Sequence, residues 1–91
     1  MELEWDEVKR QWTLDNRGLD FADVERFGWR GAVVFEDRRT DYGERRFLAY
    51  GYLADRLHVL CFVERGNRIR VISLRKANGR ERNRYGDEAK R

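Results

Sequence analysis

The segment RFLAYGYLADRLHVLCFVERGNRIRVISL, residues 46–74, determines the fold. It contains three runs rich in aromatic and β-branched residues, at 46–53, 57–63 and 68–74. Short links separate these runs, Ala54-Asp55-Arg56 and Arg65-Gly66-Asn67. Such runs are typical of β-strands, and the links are short enough for antiparallel hairpin turns. The segment therefore predicts three consecutive strands of an antiparallel meander.

The middle run, LHVLCFV at 57–63, is apolar at both alternating positions. This pattern is typical of a central strand that is covered on both faces. Cys61 and His58 both lie in this run. We expect a packed cysteine rather than a reactive thiol, and a packed or edge-facing histidine rather than a general base.

A fourth strand is predicted at 32–35, AVVF, because Gly28 and Gly31 mark a change from helical to strand patterning. The link that follows it, EDRRTDYGE at 36–44, is long and charged. These observations predict a sheet of four strands, mainly antiparallel.

Two helices are predicted before the sheet. Trp5, Val8 and Trp12 recur at helical spacing, and Gly18 supplies a left-handed stop, which predicts a helix over 6–17 capped by Asp6. Asp20 caps a second, shorter helix that ends near Phe27, and the two form a hairpin. Tryptophans at this spacing favour the core over a stacking platform for bases.

A third helix follows the sheet, where Asn78 and Glu81 have the spacing of a capping box. We expect this helix to fray beyond Gly86, leaving 86–91 as a tail. The predicted element order is ααββββα, an α+β fold in one domain over residues 1–91.

Charge is divided unevenly along the chain. Residues 1–63 carry 10 basic and 13 acidic groups, whereas residues 64–91 carry 10 basic and 4 acidic groups, so their net charges are −3 and +6. This asymmetry focuses positive potential on one part of a small molecule. Phosphates or an acidic partner are the ligands that it favours.

Several classes of function are excluded or disfavoured. One cysteine and one histidine are too few for a structural zinc site or a histidine-pair nuclease within one chain, and one cysteine cannot form an intrachain disulfide. Gly28-Trp29-Arg30-Gly31 lacks the lysine and the length of a phosphate-binding loop. No apolar run approaches a membrane span and MELEWDEVKR does not resemble a signal peptide, so we expect a cytoplasmic protein without a cofactor.

Arginine is the remaining chemical signal. Guanidinium groups bind phosphate oxygens and stabilise the phosphorane formed when a 2′-hydroxyl attacks the adjacent phosphate of RNA. Glu64, Lys76 and Tyr85 are candidates for the proton transfers. The basic side chains of this region are Arg65, Arg68, Arg70, Arg75, Arg80, Arg82 and Arg84.

Strand geometry restricts which of these arginines act together. A regular strand places Arg68 and Arg70 on the face opposite Arg75. Arg65 in the turn and Arg75 at the strand end are then expected to reach a common site. Two roles remain open for Arg68 and Arg70: they form cross-strand ion pairs, or they bind phosphate. For Arg80, Arg82 and Arg84 a solvated helix face is favoured, although Arg82 remains a candidate for binding phosphate.

Three segments resemble the BrnT family of toxins. They are EWDEVKRQWTLDNRGLDFADVERF (4–27), DYGERRFLAYGYL (41–53) and VERGNRIRVISLRKANGRERNRY (63–85). Their most specific parts are GLDFADV, the Tyr-Gly-Glu-x-Arg-Phe turn, and Arg-Gly-x-x-Ile-Arg-x-Ile-Ser-x-Arg-Lys-Ala followed by Glu-Arg and Tyr. The resemblance covers nearly the whole chain.

The resemblance implies a RelE/ParE-like fold and a metal-independent ribonuclease that arrests translation. It also implies a BrnA-like antitoxin with a ribbon-helix-helix region, which binds operator DNA on behalf of a hetero-oligomeric complex. As catalytic candidates it indicates Arg65 and Arg75, with Glu64, Lys76 and Tyr85 as further members. Many relatives have Lys-His-Gly where this chain has Asn16-Arg17-Gly18, and an arginine there keeps a cation but cannot act as a base.

Two other functions remain open at this point. One is a non-catalytic module that binds nucleic acid or an acidic protein. The other is a ParE-like toxin that acts on a protein such as gyrase, because a scaffold does not determine the reaction at its site.

Overall fold

The computed structural model describes residues 2–89, and of residues 87–89 the backbone alone. Its fold is α+β, with a five-stranded sheet and helices. The strands are β1 (Glu2–Trp5), β2 (Val33–Asp37), β3 (Arg46–Leu53), β4 (Arg56–Arg65) and β5 (Arg68–Lys76). The α-helices are α1 (Glu7–Arg17) and α2 (Gly79–Ala89), and two 3₁₀ helices span Phe21–Arg26 and Trp29–Gly31.

The sheet has the strand order β1-β5-β4-β3-β2, in which β2 to β5 form the expected antiparallel meander. The predicted four-stranded sheet is wrong, because β1 adds a fifth strand parallel to β5, with Glu2 opposite Arg68 and Trp5 opposite Val71. A strand of four residues is too short to show a period, and Trp5 belongs to it instead of to the helix. The predicted order ααββββα is therefore also incorrect.

The second predicted helix forms over Phe21–Arg26, but as a 3₁₀ helix. Its Asp20 cap is as expected, since the carboxylate accepts a hydrogen bond from the Ala22 N–H at 2.9 Å. Phe21 and Val24 are fully buried on one face of the sheet, where they join a core cluster with Leu60 of β4. Six residues give this segment room for two turns, and burial of its aromatic ring stabilises them.

The central strand is β4, and its residues 57–63 are all buried, as predicted. Side chains on one face, such as Leu60 and Phe62, belong to the core cluster under the 3₁₀ helix. Those on the other face, Leu57 and Val59, pack in a second cluster together with Tyr85 of α2. Helix α2 covers part of that second face, and the remainder is open.

A β-bulge in β5 changes which side chains share a face. Cys61 lies opposite Ser73 and Phe62 lies opposite Val71, so Ile72 is an extra residue. Strict alternation predicted Arg70 and Arg75 on opposite faces, and this is wrong. The bulge keeps Val71 and Leu74 together in the core and turns Arg70, Ser73 and Arg75 toward the open face.

Helix α1 lies beside β5, with caps as predicted. The Asp6 carboxylate accepts a hydrogen bond from the Val8 N–H at 2.9 Å, and Gly18 is left-handed at φ 67°. Arg17 donates a hydrogen bond to the Leu74 carbonyl at 2.9 Å, beyond the part of β5 that pairs with β1. Arg17 is thus a structural contact in this chain.

The tryptophans differ from one another in burial. Trp5 and Trp29 are partly buried and pack against the core cluster. Trp12 is 53% exposed and Val8 is 78% exposed, so the expected core role is wrong for the helix α1 residues. The buried residue of α1 is instead Thr13, whose hydroxyl donates a hydrogen bond to the Lys9 carbonyl at 2.9 Å.

The capping box of α2 is confirmed. The Glu81 N–H donates to the Asn78 side chain at 2.8 Å, and the Asn78 N–H donates to the Glu81 carboxylate at 2.9 Å. Helix α2 includes residues 86–89, while residues 90 and 91 of the predicted frayed tail lie outside the described residues. Over residues 2–89, none of the helices has the length and apolarity needed to span a bilayer.

A substitution at Gly51 tests the close packing between β3 and Phe27, the residue that follows the 3₁₀ helix Phe21–Arg26. A methyl group on Gly51 would lie 2.6 Å from Cζ of the buried Phe27 ring, so the ring must shift. We expect Gly51→Ala to lower the free energy of unfolding by about 1–3 kcal/mol, measured by urea denaturation. Gly79→Ala is the control, because the same group meets nothing within 4 Å there. Equal stability of the two variants would contradict this packing.

A cationic groove as candidate active site

The open part of the second sheet face is the floor of a groove of about 640 Å³. We call it the cationic groove. Its floor consists of Leu48, Tyr50, Val59, Cys61 and Ser73, all from β3, β4 and β5. Its walls come from three separate parts of the chain, represented by Lys9 of α1, Glu81 of α2 and Arg39 of the β2–β3 link.

Positive charge exceeds negative charge in this groove. The cations that line it are Lys9, Arg38, Arg39, Arg46 and Arg75, and the anions are Glu36, Asp37 and Glu81. This groove differs from the predicted cationic surface at 64–85, because its cations come from α1, the β2–β3 link and β3, and of the cations at 64–85 only Arg75 lines it. The charge split of the sequence, −3 against +6, does not indicate these contributions because four of the five cations lie in the acidic part.

Arg39 is held by Asp37. The guanidinium donates two hydrogen bonds to the carboxylate, from Nε to Oδ1 at 2.8 Å and from Nη2 to Oδ2 at 2.7 Å. The Tyr42 hydroxyl donates a third at 3.1 Å. These donors hold the pKa of Asp37 far below its ordinary value, although the carboxylate is buried, with 1% of the side chain exposed. Asp37 thus orients an arginine whose own side chain is mostly exposed.

Arg75 is held in the same manner by Glu81. Two hydrogen bonds join the guanidinium and the carboxylate, at 2.8 and 2.9 Å. They lower the pKa of Glu81 and raise that of Arg75. Since Glu81 also accepts from the Asn78 N–H, the start of α2 fixes the position of Arg75. A guanidinium has five N–H donors, and this pair uses two of them.

Two further cations differ from these pairs. The Arg46 guanidinium lies 4.2 Å from the centre of the Tyr42 ring, and its Nε forms an ion pair with Glu44 at 3.6 Å, too long for a hydrogen bond. For Lys9, no ion pair or side-chain hydrogen bond is found within residues 2–89. Lys9 is thus available to an anionic ligand, and Arg46 keeps N–H donors beyond the one that faces Glu44. Burial raises the pKa of the Tyr50 hydroxyl on the groove floor, so this group stays protonated at neutral pH.

The structure does not bring Arg65 and Glu64 to Arg75. Arg65 lies opposite Arg68 at one end of the β4–β5 hairpin, whereas Arg75 lies opposite Val59 at the other. Six residues of extended strand separate Val59 from Arg65, which is about 20 Å. Arg65 instead pairs with Glu44 at 3.1 Å, in a shallow depression that Glu64 also lines. The expected common site of Arg65 and Arg75 is therefore wrong in its geometry.

The other candidate residues are distributed over the molecule. Lys76 follows Arg75 in the strand, is exposed, and lies opposite His58 rather than on the groove floor. The Tyr85 ring packs 4.2 Å from that of Tyr50, at the α2 end of the groove. Arg82 is exposed on α2. His58 and Cys61 are buried as predicted, and burial lowers the pKa of the first and raises that of the second.

Arg68 and Arg70, in the first, turn-side part of β5, differ in their contacts: one forms cross-strand ion pairs and the other, among the described residues, does not. Arg68 forms ion pairs with Glu2 at 3.2 Å and with Glu4 at 3.7 Å, across the parallel pairing with β1. Arg70 faces the open side, and no ion pair of Arg70 is found in the part of the chain that the structure describes. Arg70 therefore remains the better phosphate candidate.

Sequence reasoning missed several residues that line the groove. They are Lys9, Arg39, Tyr42, Arg46, Tyr50 and Glu81. A signal existed in the β2–β3 link, where an acid and two arginines, Asp37-Arg38-Arg39, precede Tyr42. Lys9 carried no signal, because nothing in α1 alone indicates that it faces β5.

Residues 5–81 match the family described as the ribonuclease toxin BrnT of type II toxin–antitoxin systems. The match covers most of the chain, so the protein is a toxin of a type II toxin–antitoxin system. The chain belongs to this BrnT family. The resemblance read from the sequence is thereby confirmed.

A solved structure supports this assignment. The chain is similar to the ribonuclease toxin BrnT of Brucella abortus, known from a crystal structure at 1.1 Å resolution, with 34% identity and a TM-score of 0.68. The match covers 86% of this chain and 97% of that one. No curated protein matches this chain.

Asp37 tests the charge arrangement of the groove through pH. Because its folded pKa is lowered, the ionised carboxylate stabilises the fold above its unfolded pKa, about 3.9, and this contribution is lost as pH falls below that value. We expect Asp37→Asn to lower the free energy of unfolding by about 1–2 kcal/mol at pH 7, and the difference from wild type to shrink below about pH 4.

The matched control for that measurement is Glu36→Gln, the adjacent residue of β2. Glu36 pairs with the exposed arginines 38 and 45, and such surface pairs contribute little. Chemical denaturation at pH 7, 5 and 3 gives the comparison. If Asp37→Asn lost no more stability than Glu36→Gln at pH 7, Asp37 would not have the role assigned here.

Proposed function

We propose that the protein is an endoribonuclease that cleaves RNA in the cationic groove and thereby inhibits translation in the cytoplasm. The family supports ribonuclease activity in general terms. The observation that carries the proposal is the pair of guanidinium groups, Arg39 and Arg75, each oriented by a carboxylate in one groove. Two oriented guanidinium groups match the oxygens of a phosphodiester. The RelE/ParE-like grouping belongs to the same proposal, and the meander followed by α2 supports it.

The reaction that fits this groove begins with attack of the 2′-oxygen on the adjacent phosphorus, while the proton of the 2′-hydroxyl passes to solvent water. The P–O5′ bond then breaks, leaving a 2′,3′-cyclic phosphate on one fragment and a 5′-hydroxyl on the other. Negative charge on the phosphorane increases before the bond breaks. Arg75 and Arg39 keep N–H donors free beyond those bound by Glu81 and Asp37, and these donors stabilise that charge without reorganisation.

Lys9 and Arg46 extend the phosphate contacts, and Arg70 continues them along β5. Tyr85 and Tyr50 supply hydroxyl groups beside Arg75, which is the place for protonation of the departing 5′-oxygen. Arg65 with Glu64, Lys76 and Arg82 lie elsewhere, and we assign them to contacts with distant parts of the RNA. Arg68 has a structural role through Glu2.

Metal independence is part of the proposal. Within the described residues, no group of three or more histidine, cysteine, aspartate or glutamate side chains is placed to hold a metal ion. The three carboxylates that line the groove are already bound to arginines: Asp37 to Arg39, Glu81 to Arg75, and Glu36 to Arg38 and Arg45. Arginine and lysine supply the charge that a metal ion supplies in other nucleases.

Arg75→Ala tests the site. Removing one donor group from a charged intermediate typically lowers kcat by about 10²–10³-fold, and we expect a loss of that size. The measurement is cleavage of purified RNA in the presence of chelator, followed on a gel, together with growth of cells that express the variant alone. Wild type should cleave the RNA and arrest growth, and Arg75→Ala should do neither.

Arg65→Ala is the matched control, because Arg65 lies on the same sheet face about 20 Å away. We expect it to cleave within a few-fold of wild type. Full activity of Arg75→Ala would refute the groove as the active site. Salt-dependent RNA binding without cleavage by wild type would indicate a non-catalytic module, and DNA damage on induction would indicate a target such as gyrase.

The type II family also implies an antitoxin. We propose that the partner is BrnA-like, forms a hetero-oligomer with this chain, and carries a ribbon-helix-helix region through which alone the complex binds operator DNA. Its inhibitory segment lies over the cationic groove and presents carboxylates to Arg39 and Arg75. Charge complementarity supports this arrangement.

A charge reversal at Arg75 tests the antitoxin contact. Arg75→Glu places a carboxylate beside Glu81 and against those of the partner, so we expect at least about tenfold weaker binding of the BrnA-like protein. Isothermal titration at two salt concentrations measures the effect, with Arg82→Glu on exposed α2 as the control. A complex insensitive both to salt and to Arg75→Glu would contradict this contact.

A further inference from the structure

Three aromatic rings form a cluster at one end of the cationic groove, between β2, β3 and α2. We call Phe35, Tyr50 and Tyr85 the aromatic platform. Their ring centroids are 4.2 Å apart for Tyr50 and Tyr85, 5.6 Å for Phe35 and Tyr85, and 6.1 Å for Phe35 and Tyr50. Tyr50 is buried and supports the cluster from the sheet.

Phe35 is the exposed member of the platform. It is 45% exposed, although it lines the groove together with Arg39 and Arg75. Residue 35 lies on β2, at the edge of the sheet, and pairs with Leu48 of β3. One part of the ring therefore contacts the two tyrosines, and the rest is open to solvent beside the oriented guanidinium groups.

Exposed aromatic rings beside cations are the usual means of binding single-stranded nucleic acid. The cations follow the phosphates, and each unpaired base stacks on a ring, since every base has a π face. A base inside a duplex is already stacked on its neighbours and has no face to offer. A single-stranded segment, by contrast, can bind the cations through its phosphates and stack an unpaired base on the ring.

We propose that Phe35 stacks on an unpaired base of the RNA whose phosphate lies between Arg39 and Arg75. This proposal rests on the proposed function and specifies its substrate as single-stranded RNA held by one base as well as by its phosphates. Phe35 is thus a positioning residue. It fixes the nucleotide beside the phosphate and takes no part in proton transfer.

The surroundings of Phe35 favour a base over a protein partner. Val34, its neighbour on β2, is equally exposed at 45% but lies on the other face, where it does not line the groove. Only the Phe35 side of the strand combines an exposed ring, two aromatic supports and cations. A protein interface along the edge strand would use both residues.

The experiment measures binding of fluorescent 2′-O-methyl oligonucleotides, which lack the attacking hydroxyl. A uridine oligomer is compared with an abasic oligomer of the same length and charge, by anisotropy. Phe35→Leu retains apolar packing on the tyrosines without a π face. We expect it to weaken binding of the uridine oligomer about tenfold and to leave binding of the abasic oligomer unchanged.

Two variants serve as controls in this experiment. Phe35→Trp keeps a stacking face and should bind the uridine oligomer as well as wild type. Val34→Ala changes an equally exposed residue on the other face and should bind both oligomers as wild type does. Circular dichroism and Tm show that each variant is folded.

The outcomes separate this proposal from the proposed function. Equal binding by Phe35→Leu and wild type would refute stacking, while RNA cleavage by wild type in parallel would still support the nuclease. Failure of wild type to bind or cleave any RNA would refute both. If Phe35→Leu lost affinity for the antitoxin or for a second copy but not for the uridine oligomer, Phe35 would be a protein contact and the proposal would be wrong.

Discussion

Ile72 is the extra residue of β5, and the arrangement of the groove depends on it. Strict alternation from Ile69 and Val71 would direct Arg75 into the apolar core, where a guanidinium loses its hydration. The bulge shifts the alternation by one residue. Leu74 therefore remains in the core, while Arg75 faces the groove beside Glu81. Bulges are frequent next to active sites because they redirect a side chain without interrupting the sheet.

The carboxylates of the groove have a consequence for its charge. Asp37 and Glu81 each neutralise one arginine, and Glu36 and Glu44 pair with Arg38 and Arg46. Among the described residues, Lys9 is thus the lining cation without an ion pair. A phosphate that enters meets guanidinium groups already held in place, and less side-chain entropy is lost on binding. The same carboxylates compete with the phosphate for those donors. Because of this competition, the arginines bind the phosphorane, which carries more negative charge, better than they bind the starting phosphodiester.

Much of the fold could be predicted from the sequence because its signals are local. The strands at 46–74, the Asp6 and Asp20 caps and the Asn78-Glu81 capping box each depend on neighbours a few residues away. The pairing of β1 with β5 could not be predicted. A strand of four residues is too short to show an alternating hydrophobic pattern, and its partner strand is distant in the chain. The sequence does contain an indication of the bulge. In a regular strand Leu74 would face away from Ile69 and Val71, so all three can lie in the core only if one residue between Val71 and Leu74 is extra.

The candidate site could be predicted in part for the same reason. Arg75 and Tyr85 lie in or beside the groove, since they belong to β5 and to the helix that follows it. Arg65 and Glu64 are about ten residues from Arg75 in the sequence motif of the family. In the structure they lie at the opposite end of the β4–β5 hairpin from Arg75. Residues from α1 and the β2–β3 link join the groove only through tertiary packing, and charge counted along the chain does not reveal them.

The parallel pairing of β1 with β5 affects the order in which the parts of the molecule fold. Glu2 and Arg68 are 66 residues apart, whereas the β3–β4 and β4–β5 hairpins join neighbours in the chain. Long loops close later and more slowly than short ones, so the meander is expected to form before β1 docks. Lys9 lies in α1, the element that follows β1, and is expected to reach the groove when β1 docks. During synthesis, a chain that has not yet released β5 from the ribosome therefore has only the β3 and β4 part of the groove floor and lacks the α1 wall.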